Sequence, residues 1–362
     1  MNTTQRVRRA GLATVAALVI GGSGVAIGAA AADSSASGTL AAATATQSPA
    51  VPGPGTPGPA SYASVVRQVL PSVVLIRTEN GLGSGVVLDT KGNIVTNAHV
   101  AGDSTKFQVQ VAGDTAPRSA RLVGTYPPDD LAVIRADDPS GLQPATFGDS
   151  GKVQAGDVVL AIGNPLGLSG SVTQGIISAT DRAVTEPATD GSPAATLPGA
   201  IQTSAPINPG NSGGALVSTS GQVVGIPTLA AGSPQGGGQA QGIGFAIPSN
   251  LARDIATQII DTGHVTNSHR AAIGAEVATV LGPDGTAGGV GVVAVTNGGG
   301  AERAGLRAGD VITAVGGAQT TDTTALSQAL AAAKPGDTVT VTISRDGHDR
   351  SVQVTLGELP GS

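Results

Sequence analysis

The sequence predicts a mainly β protein of barrel type, because short β-branched runs recur between Gly, Asp, Asn and Pro residues that favour turns. Two tyrosines, three phenylalanines and no tryptophan leave the filling of the core to Val, Ile, Leu and Ala. The chain has no cysteine, so the core has to hold the fold without disulfides. The clearest runs are Val73–Ile76, Val86–Leu88, Val158–Ile162 and Val223–Ile226.

The first 32 residues predict an export segment. Arg6, Arg8 and Arg9 precede 23 uncharged residues rich in Ala and Gly, which end in four consecutive alanines at Ala32. A signal peptidase could cut there, but the segment is also long enough to span a bilayer as an uncleaved signal anchor. Both alternatives stay open, and the paired arginines also permit a twin-arginine signal. Either way, the rest of the chain is expected outside the cytoplasm, membrane-anchored or secreted into the cell envelope.

Residues 33–60 predict a disordered linker, because Ser, Ala, Thr, Pro and Gly dominate and no apolar periodicity offers a core-facing side. The net charge of −6, with no basic cluster beyond the N-terminus, argues against a nucleic-acid partner.

A candidate nucleophile stands in the loop Asn208–Gly214, where Ser212 is packed among glycines. Glycine tolerates positive φ and lets a substrate approach the main chain closely. The amides of Gly210 and Ser212, with Asn211 between them, are therefore candidates for an oxyanion hole.

A serine attacks a carbonyl only when a base takes its proton and a carboxylate orients that base. His99 is the histidine that precedes Ser212 within one domain's reach, at the end of an apolar run. Asp130 follows 31 residues later and opens another apolar run. Each residue alone would more often be structural. The chain order His, Asp, Ser is typical of chymotrypsin-like barrels and needs neither a metal nor a cofactor.

The chain carries four sequence blocks in a fixed order: Thr96–Val100, Asp130–Val133, Gly163–Leu168 and Asn208–Gly214. Together they resemble the signature blocks of the HtrA/Deg serine proteases, and the resemblance covers the chain from about Ser61 to its C-terminus. It implies a chymotrypsin-like double β-barrel over residues 61–262, with His99 as general base, Asp130 as orienting carboxylate and Ser212 as nucleophile. It also implies a homotrimer contacting through the segment after Ser61.

Residues 269–358 resemble the PDZ domain appended to such proteases. A helix is predicted at about 324–332 and closing strands at 338–343 and 351–356. The expected mechanism is β-augmentation, in which a peptide C-terminus adds as a strand and its carboxylate meets the amides of Ile273, Gly274 and Ala275.

The expected specificity pocket carries no carboxylate for a basic side chain, because Pro206 and Ile207 stand near its floor. Ile226, Thr228 and Phe245 are expected on its walls, which predicts cleavage after small aliphatic residues. Residues 230–241, rich in Gly, Gln and Ala, are expected to form a surface loop.

The sequence leaves two possible functions for the protein. The first is an ATP-independent endopeptidase for unfolded or damaged exported proteins, acting in quality control under stress. The second is mainly a chaperone or PDZ-based binding protein with little proteolysis. The complete set of His, Asp and Ser favours the endopeptidase.

Overall fold

The computed structural model describes residues 61–79, 81–164, 170–186, 195–208, 210–232, 239–282 and 285–360. The expected export segment and linker, residues 1–60, lie outside the described residues. Among the helices in the described part of the chain, none is long and apolar enough to cross a membrane.

The first domain begins with a closed six-stranded antiparallel barrel in the order β1-β2-β3-β6-β5-β4. Its interior is aliphatic apart from Phe107, as the scarcity of aromatic residues predicted. Strand β3 pairs with β6 in a register that sets Thr96 opposite Ala132, so the end of β3 lies beside the start of β6. The strands are β1 Val73–Arg77, β2 Leu82–Val87, β3 Asn93–Thr96, β4 Lys106–Val111, β5 Arg118–Tyr126 and β6 Leu131–Ala136.

A second closed barrel follows in the order β10-β11-β12-β9-β8-β7. Strands β11 and β12 run further than the sequence predicted, because Gly232 pairs with Gln239. Residues 230–232 and 239–241 of the expected loop are therefore strand, and residues 233–238 lie outside the described part. The strands are β7 Val158–Gly163, β8 Ser171–Glu186, β9 Ala195–Thr203, β10 Ala215–Ser218, β11 Val223–Gly232 and β12 Gln239–Pro248.

Three helices complete this domain: α1 Tyr62–Val69, α2 Ala98–Ala101 and α3 Ser249–Thr262. The apolar face of α3 buries Ile255 and Ile259 in a core shared by both barrels, which joins them into one domain. Helix α3 ends at Gly263, whose φ of 82° is the left-handed conformation that glycine adopts readily at a helix C-terminus.

The C-terminal domain is a six-stranded sheet in the order β14-β15-β16-β18-β19, with β17 paired to β16. Strand β14 lies at the edge of this sheet. Strands β13 and β20 form a separate two-stranded pair. Helix α5 begins and ends slightly before the predicted helix, and β18 and β19 form a hairpin longer than predicted. The elements are β13 Ala271–Ala272, β14 Ala275–Leu281, β15 Ala287–Val295, α4 Gly300–Arg303, β16 Val311–Val315, β17 Ala318–Gln319, α5 Thr323–Leu330, β18 Thr338–Arg345, β19 His348–Thr355 and β20 Gly357–Glu358.

Candidate active site

His99 and Asp130 meet where neighbouring strands of the first barrel end and begin. His99 lies on α2, directly after β3, and Asp130 directly precedes β6. Nδ1 of His99 is 2.9 Å from Oδ2 and 3.0 Å from Oδ1 of Asp130. The Asp130 side chain is 2% exposed and that of His99 is 24% exposed. A histidine that donates from Nδ1 to this carboxylate has Nε2 as its basic nitrogen, the tautomer that a general base needs.

Asp130 itself is held in an uncommon backbone conformation, with φ of 51°. Its carbonyl accepts hydrogen bonds from the amide of Ala98, at 3.0 Å, and from Nδ2 of Asn97, at 3.1 Å. Its Oδ1 accepts the amide of His99 at 2.9 Å. The surrounding donors therefore fix both the main chain and the carboxylate, which is how a strained residue persists at a functional site.

Ser212 lies in the loop between β9 and β10 and is half-buried. Its hydroxyl donates to the carbonyl of Thr228 at 3.0 Å. The side-chain hydroxyl of the same Thr228 donates to Oδ2 of Asp130. Thr228 of β11 thus contacts both Ser212 and Asp130, and Asp130 in turn contacts His99.

The loop before Ser212 makes a tight turn, in which the amide of Asn211 donates to the carbonyl of Asn208 at 3.0 Å. Gly210, at the third position of this turn, has φ of 105°, as a type II turn requires. The Asn211 amide therefore closes the turn, although the sequence placed Asn211 in the oxyanion hole. Of the three residues named there, Gly210 and Ser212 are those with amides that could serve an oxyanion.

The expected specificity residues are divided between two hydrophobic clusters. Ile207 is buried in the core of the second barrel, whereas Ile226 and Phe245 belong to the core shared by the two barrels. Pro206 is exposed, and Thr228 is buried with its hydroxyl on Asp130. The assignment of these five residues to one specificity pocket stays a prediction.

Ile207 packs closely against β12. A Cβ added at Gly244 would lie 2.5 Å from Cγ1 of Ile207, so the strand can approach only with glycine there. The neighbouring Ile243 is 37% exposed. Sequence analysis placed Phe245 of β12 on the pocket wall, and Ile243, two residues before it, is the exposed apolar side chain in this part of the strand.

The C-terminal domain has an apolar groove between its edge strand β14 and helix α5. Ala275 and Val277 line one side, and Leu326 and Leu330 line the other. The predicted carboxylate loop lies beside this groove: Gly274 has φ of 78°, and its carbonyl accepts the amide of Thr296 at 2.9 Å. Ile273 and Ala275 both line the groove. The arrangement suits a peptide that extends the sheet at β14.

A buried carboxylate precedes the active-site aspartate. Asp129 is fully buried, and Oδ1 lies 3.0 Å from Nη1 of Arg270. Burial raises the pKa of Asp129 to about 6, although the charge of Arg270 opposes this shift. Burial, together with the nearby charge of Asp129, also raises the pKa of Tyr126 to about 12.

Sequence reasoning missed the residues that support the site. Thr228 was assigned to the pocket, and neither Asn97 nor Ser84 was singled out. Ser84 is fully buried and bonds to the carbonyl of Gly210 through its hydroxyl. Its one signal in the sequence is the pair of flanking glycines, Gly83 and Gly85, which indicate close approach of another segment.

Two closed barrels that bring a His–Asp pair and a serine loop together, followed by a domain with an edge-strand groove, define a trypsin-like protease fold with a C-terminal PDZ domain. Residues 83–226 match the trypsin-like peptidase domain and residues 265–356 match the PDZ domain.

The serine protease PepD of Mycobacterium tuberculosis is 40% identical over 317 residues, which cover 82% of this chain and 66% of that protein. The periplasmic pH-dependent serine endoprotease DegQ of Escherichia coli is 35% identical over 330 residues, covering 82% of this chain and 70% of DegQ. The solved structure of the HtrA-type protease AlgW with a decapeptide superposes with a TM-score of 0.54 at 33% identity, covering 83% of this chain and 99% of that one. The chain belongs to the HtrA family of serine proteases, and it spans about two thirds of the length of these two curated relatives.

Proposed function

We propose that the protein is an ATP-independent serine endopeptidase that forms an acyl-enzyme on Ser212, with His99 as general base and Asp130 as its orienting carboxylate. The observation that carries the proposal is the bonded array in which Asp130 holds Nδ1 of His99 at 2.9 Å while Thr228 links Asp130 to Ser212. The catalytic groups need no metal or cofactor for this chemistry.

The reaction begins when the hydroxyl of Ser212 turns from the Thr228 carbonyl to Nε2 of His99. As Oγ attacks the peptide carbonyl, its proton passes to His99, and the ionised Asp130 stabilises the imidazolium. The oxyanion forms opposite the amides of Gly210 and Ser212. His99 then gives the proton to the leaving amine, and water hydrolyses the acyl-enzyme by the reverse proton path.

The proposed substrates are unfolded or damaged exported proteins, cleaved after small aliphatic residues. The absence of a carboxylate at Pro206 and Ile207 supports this preference, because nothing there would pair with Arg or Lys. The apolar side chains of Ile207 and Ile243 are the proposed contacts. A fluorogenic peptide panel in which Arg or Lys before the cleaved bond outperforms Val and Ala would contradict this.

The PDZ domain is proposed to bind peptide C-termini in the groove between β14 and α5. Its loop Ile273–Ala275 would receive the carboxylate through main-chain amides. The apolar lining of Val277, Leu326 and Leu330 favours a peptide that ends in an apolar side chain.

We further propose the domain limits 61–262 for the protease and 269–358 for the PDZ domain, behind an export segment at 1–32 and a linker at 33–60. Homologues named periplasmic support a location in the cell envelope. The N-terminal sequence and membrane partition of the natural protein distinguish a cleaved signal from an anchor.

A homotrimer that contacts through the segment beginning at Ser61 is also proposed. Helix α1 lies there and exposes 40% of Tyr62, an aromatic side chain of the kind that anchors interfaces. Sedimentation equilibrium of the purified chain tests it. A monomer at micromolar concentration, or a trimer unaffected by Tyr62→Ser, would contradict it.

The deciding experiment for the activity compares casein degradation by the purified full-length chain and by Ser212→Ala. Activity in the wild type alone supports the proposed mechanism. Equal activity of both proteins would end the assignment of Ser212, whereas inactivity of both, with retained binding of unfolded casein, would favour a chaperone.

A further inference from the structure

Ser84 occupies a fully buried position on β2 of the first barrel, yet it bonds to the serine loop of the second barrel. Its side-chain hydroxyl donates to the carbonyl of Gly210 at 2.5 Å. Its main-chain amide donates to the carbonyl of Ser212 at 2.9 Å. One residue thus holds the carbonyls of both residues whose amides are the proposed oxyanion donors.

The remaining polar groups of Ser84 are also bonded. Its Oγ accepts the amide of Asn164 at 2.8 Å, and its carbonyl accepts the hydroxyl of Thr96 at 2.6 Å. Thr96 ends the strand that leads to His99, and Asn164 follows β7. Ser84 therefore joins the serine loop to the strand before the histidine and to the end of a strand in the second barrel.

The glycines on either side of Ser84 allow β2 to lie close to its neighbours in the first barrel. A Cβ added at Gly83 would lie 2.5 Å from Val100, beside His99, and one added at Gly85 would lie 2.6 Å from Ile94. Strand β2 can therefore approach α2 and β3 closely only because these two positions carry no side chain. On the opposite side, a Cβ at Gly163 would lie 2.6 Å from the Gly210 carbonyl oxygen, so the loop is confined from both sides.

The hydrogen bond from the Ser84 hydroxyl restrains a planar group, the peptide unit between Gly210 and Asn211. The carbonyl of the Gly210–Asn211 peptide is held by Ser84, and its N–H is held by the carbonyl of Asn208 at 3.0 Å. Because a peptide unit is rigid, bonds at both ends fix its orientation, and with it one of the two planes that meet at the Gly210 Cα. The N–H of Gly210 belongs to the other plane, so without the hydroxyl the Gly210 Cα and the amide attached to it would lose one of the restraints on their position.

We propose that Ser84 is a positioning residue that keeps the oxyanion loop in its catalytic shape through the Gly210 carbonyl. The inference rests on the proposed protease function. Strand β2 of the first barrel would then control the position of the main-chain amides in the second barrel that stabilise the transition state. The residue does not touch substrate, so its effect is expected on transition-state binding and not on binding of the peptide itself.

The test uses the full-length chain with Ser84→Ala. The expected result is a fall in kcat on the order of 10²-fold, the usual effect of losing one oxyanion donor, with KM within about twofold. Affinity for a peptide boronate, which forms a tetrahedral adduct on the serine, is expected to fall by a similar factor. The non-reactive peptide acid should bind Ser84→Ala and wild type equally.

Ser249→Ala is the matched control, because Ser249 is also fully buried and its hydroxyl donates to a distant carbonyl, that of Gly148, at 2.8 Å. It contacts no residue of the serine loop among the bonds of the described chain. It should lower the melting temperature about as much as Ser84→Ala and leave kcat within about twofold of wild type.

Three results would overturn the inference: a folded Ser84→Ala with wild-type kcat, a fall in boronate affinity no larger than that for the peptide acid, or an equal loss of kcat in Ser249→Ala. If Ser84→Ala does not fold, Ser84→Cys replaces it, since the thiol has similar size but donates weakly. An intermediate loss, about tenfold, is then expected, and wild-type kcat overturns the proposal. A wild-type chain without peptidase activity would instead count against the proposed function.

Discussion

Nη1 of Arg270 lies 3.0 Å from Oδ1 of Asp129 and 2.5 Å from the carbonyl of Pro128. Arg270 directly precedes β13 of the C-terminal domain, and Asp129 directly precedes the active-site aspartate Asp130. A side chain at the start of the PDZ domain therefore holds the turn that presents Asp130, the proposed catalytic carboxylate. Because Asp129 is fully buried, its pKa is raised despite the contact with Arg270, and its carboxyl makes the stability of the protein depend on pH.

The pKa of Asp129 is raised by burial from 3.8 to about 6, so the folded chain binds its proton more tightly than the unfolded chain does. Between pH 4 and pH 6 the folded state holds a proton that the unfolded state has lost, and stability falls as the pH rises through this window. At about 1.4 kcal/mol per pH unit, the full effect is about 3 kcal/mol.

The difference in unfolding free energy between wild type and Asp129→Asn should therefore change by about 2 kcal/mol, in favour of wild type, when the pH falls from 7 to 4, because the full effect is reached only below the pKa of the unfolded chain. Urea unfolding at several pH values measures it. Asp137→Asn, at an exposed position, controls for the loss of one charge. A difference that stays constant with pH would contradict the raised pKa.

Thr228→Val is expected to lower kcat about 10- to 100-fold, because it removes the hydroxyl that donates to Oδ2 of Asp130. A hydrogen bond to a charged group contributes about 1.5–3 kcal/mol, and valine keeps the shape of threonine. Steady-state hydrolysis of a peptide substrate measures the effect. Thr320→Val, which removes a buried hydroxyl in the PDZ domain, should leave kcat unchanged. Equal rates for Thr228→Val and wild type would show that Asp130 is held without this bond.

Gly213→Ala is expected to abolish activity and lower the free energy of unfolding by more than about 3 kcal/mol. Gly213 has φ of 78°, and an added Cβ would collide with the carbonyl oxygen of Ser84 and the hydroxyl of Thr96. Gly263→Ala is the control, because φ there is 82° but nothing lies within 4 Å of the added Cβ. It should cost only the left-handed strain, about 1–2 kcal/mol. Similar losses in both variants would mean that the close approach to Ser84 is unimportant.

Val277→Glu is expected to weaken binding of a peptide with a free, apolar C-terminus more than about tenfold, since it places a carboxylate in the apolar groove of the PDZ domain. Fluorescence anisotropy with a labelled peptide measures the affinity. Val293→Glu makes the same change on the neighbouring strand β15, where the side chain is 51% exposed, and should have little effect. Equal weakening by the two substitutions would argue against the groove.

Local sequence pattern predicted a mainly β protein, and the resemblance to a known family predicted its two domains, as the structure shows. His99, Asp130 and Ser212 were predicted from both, and the structure links them through Asp130 and Thr228. Each of these residues sits beside a short apolar run or a glycine turn, whose signals are local. The assignment of Ile226, Thr228 and Phe245 to one pocket had no such local signal, because a β-bulge between Pro227 and Leu229 interrupts the alternation of side chains along β11, and this bulge depends on the pairing of β11 with β12. In the structure Ile226 and Phe245 face the shared core, and Thr228 turns its hydroxyl to Asp130.

The sequence by itself determined the class of fold, the chain order of the proposed catalytic groups and the glycines of the serine loop. The tertiary structure decided what holds those groups in place. Thr228 reaches Asp130 across 98 residues, and Ser84 reaches Gly210 across 126. Such contacts exist only when two closed barrels pack together, because hydrogen bonds between distant segments depend on register and packing and leave no periodic signal in the chain.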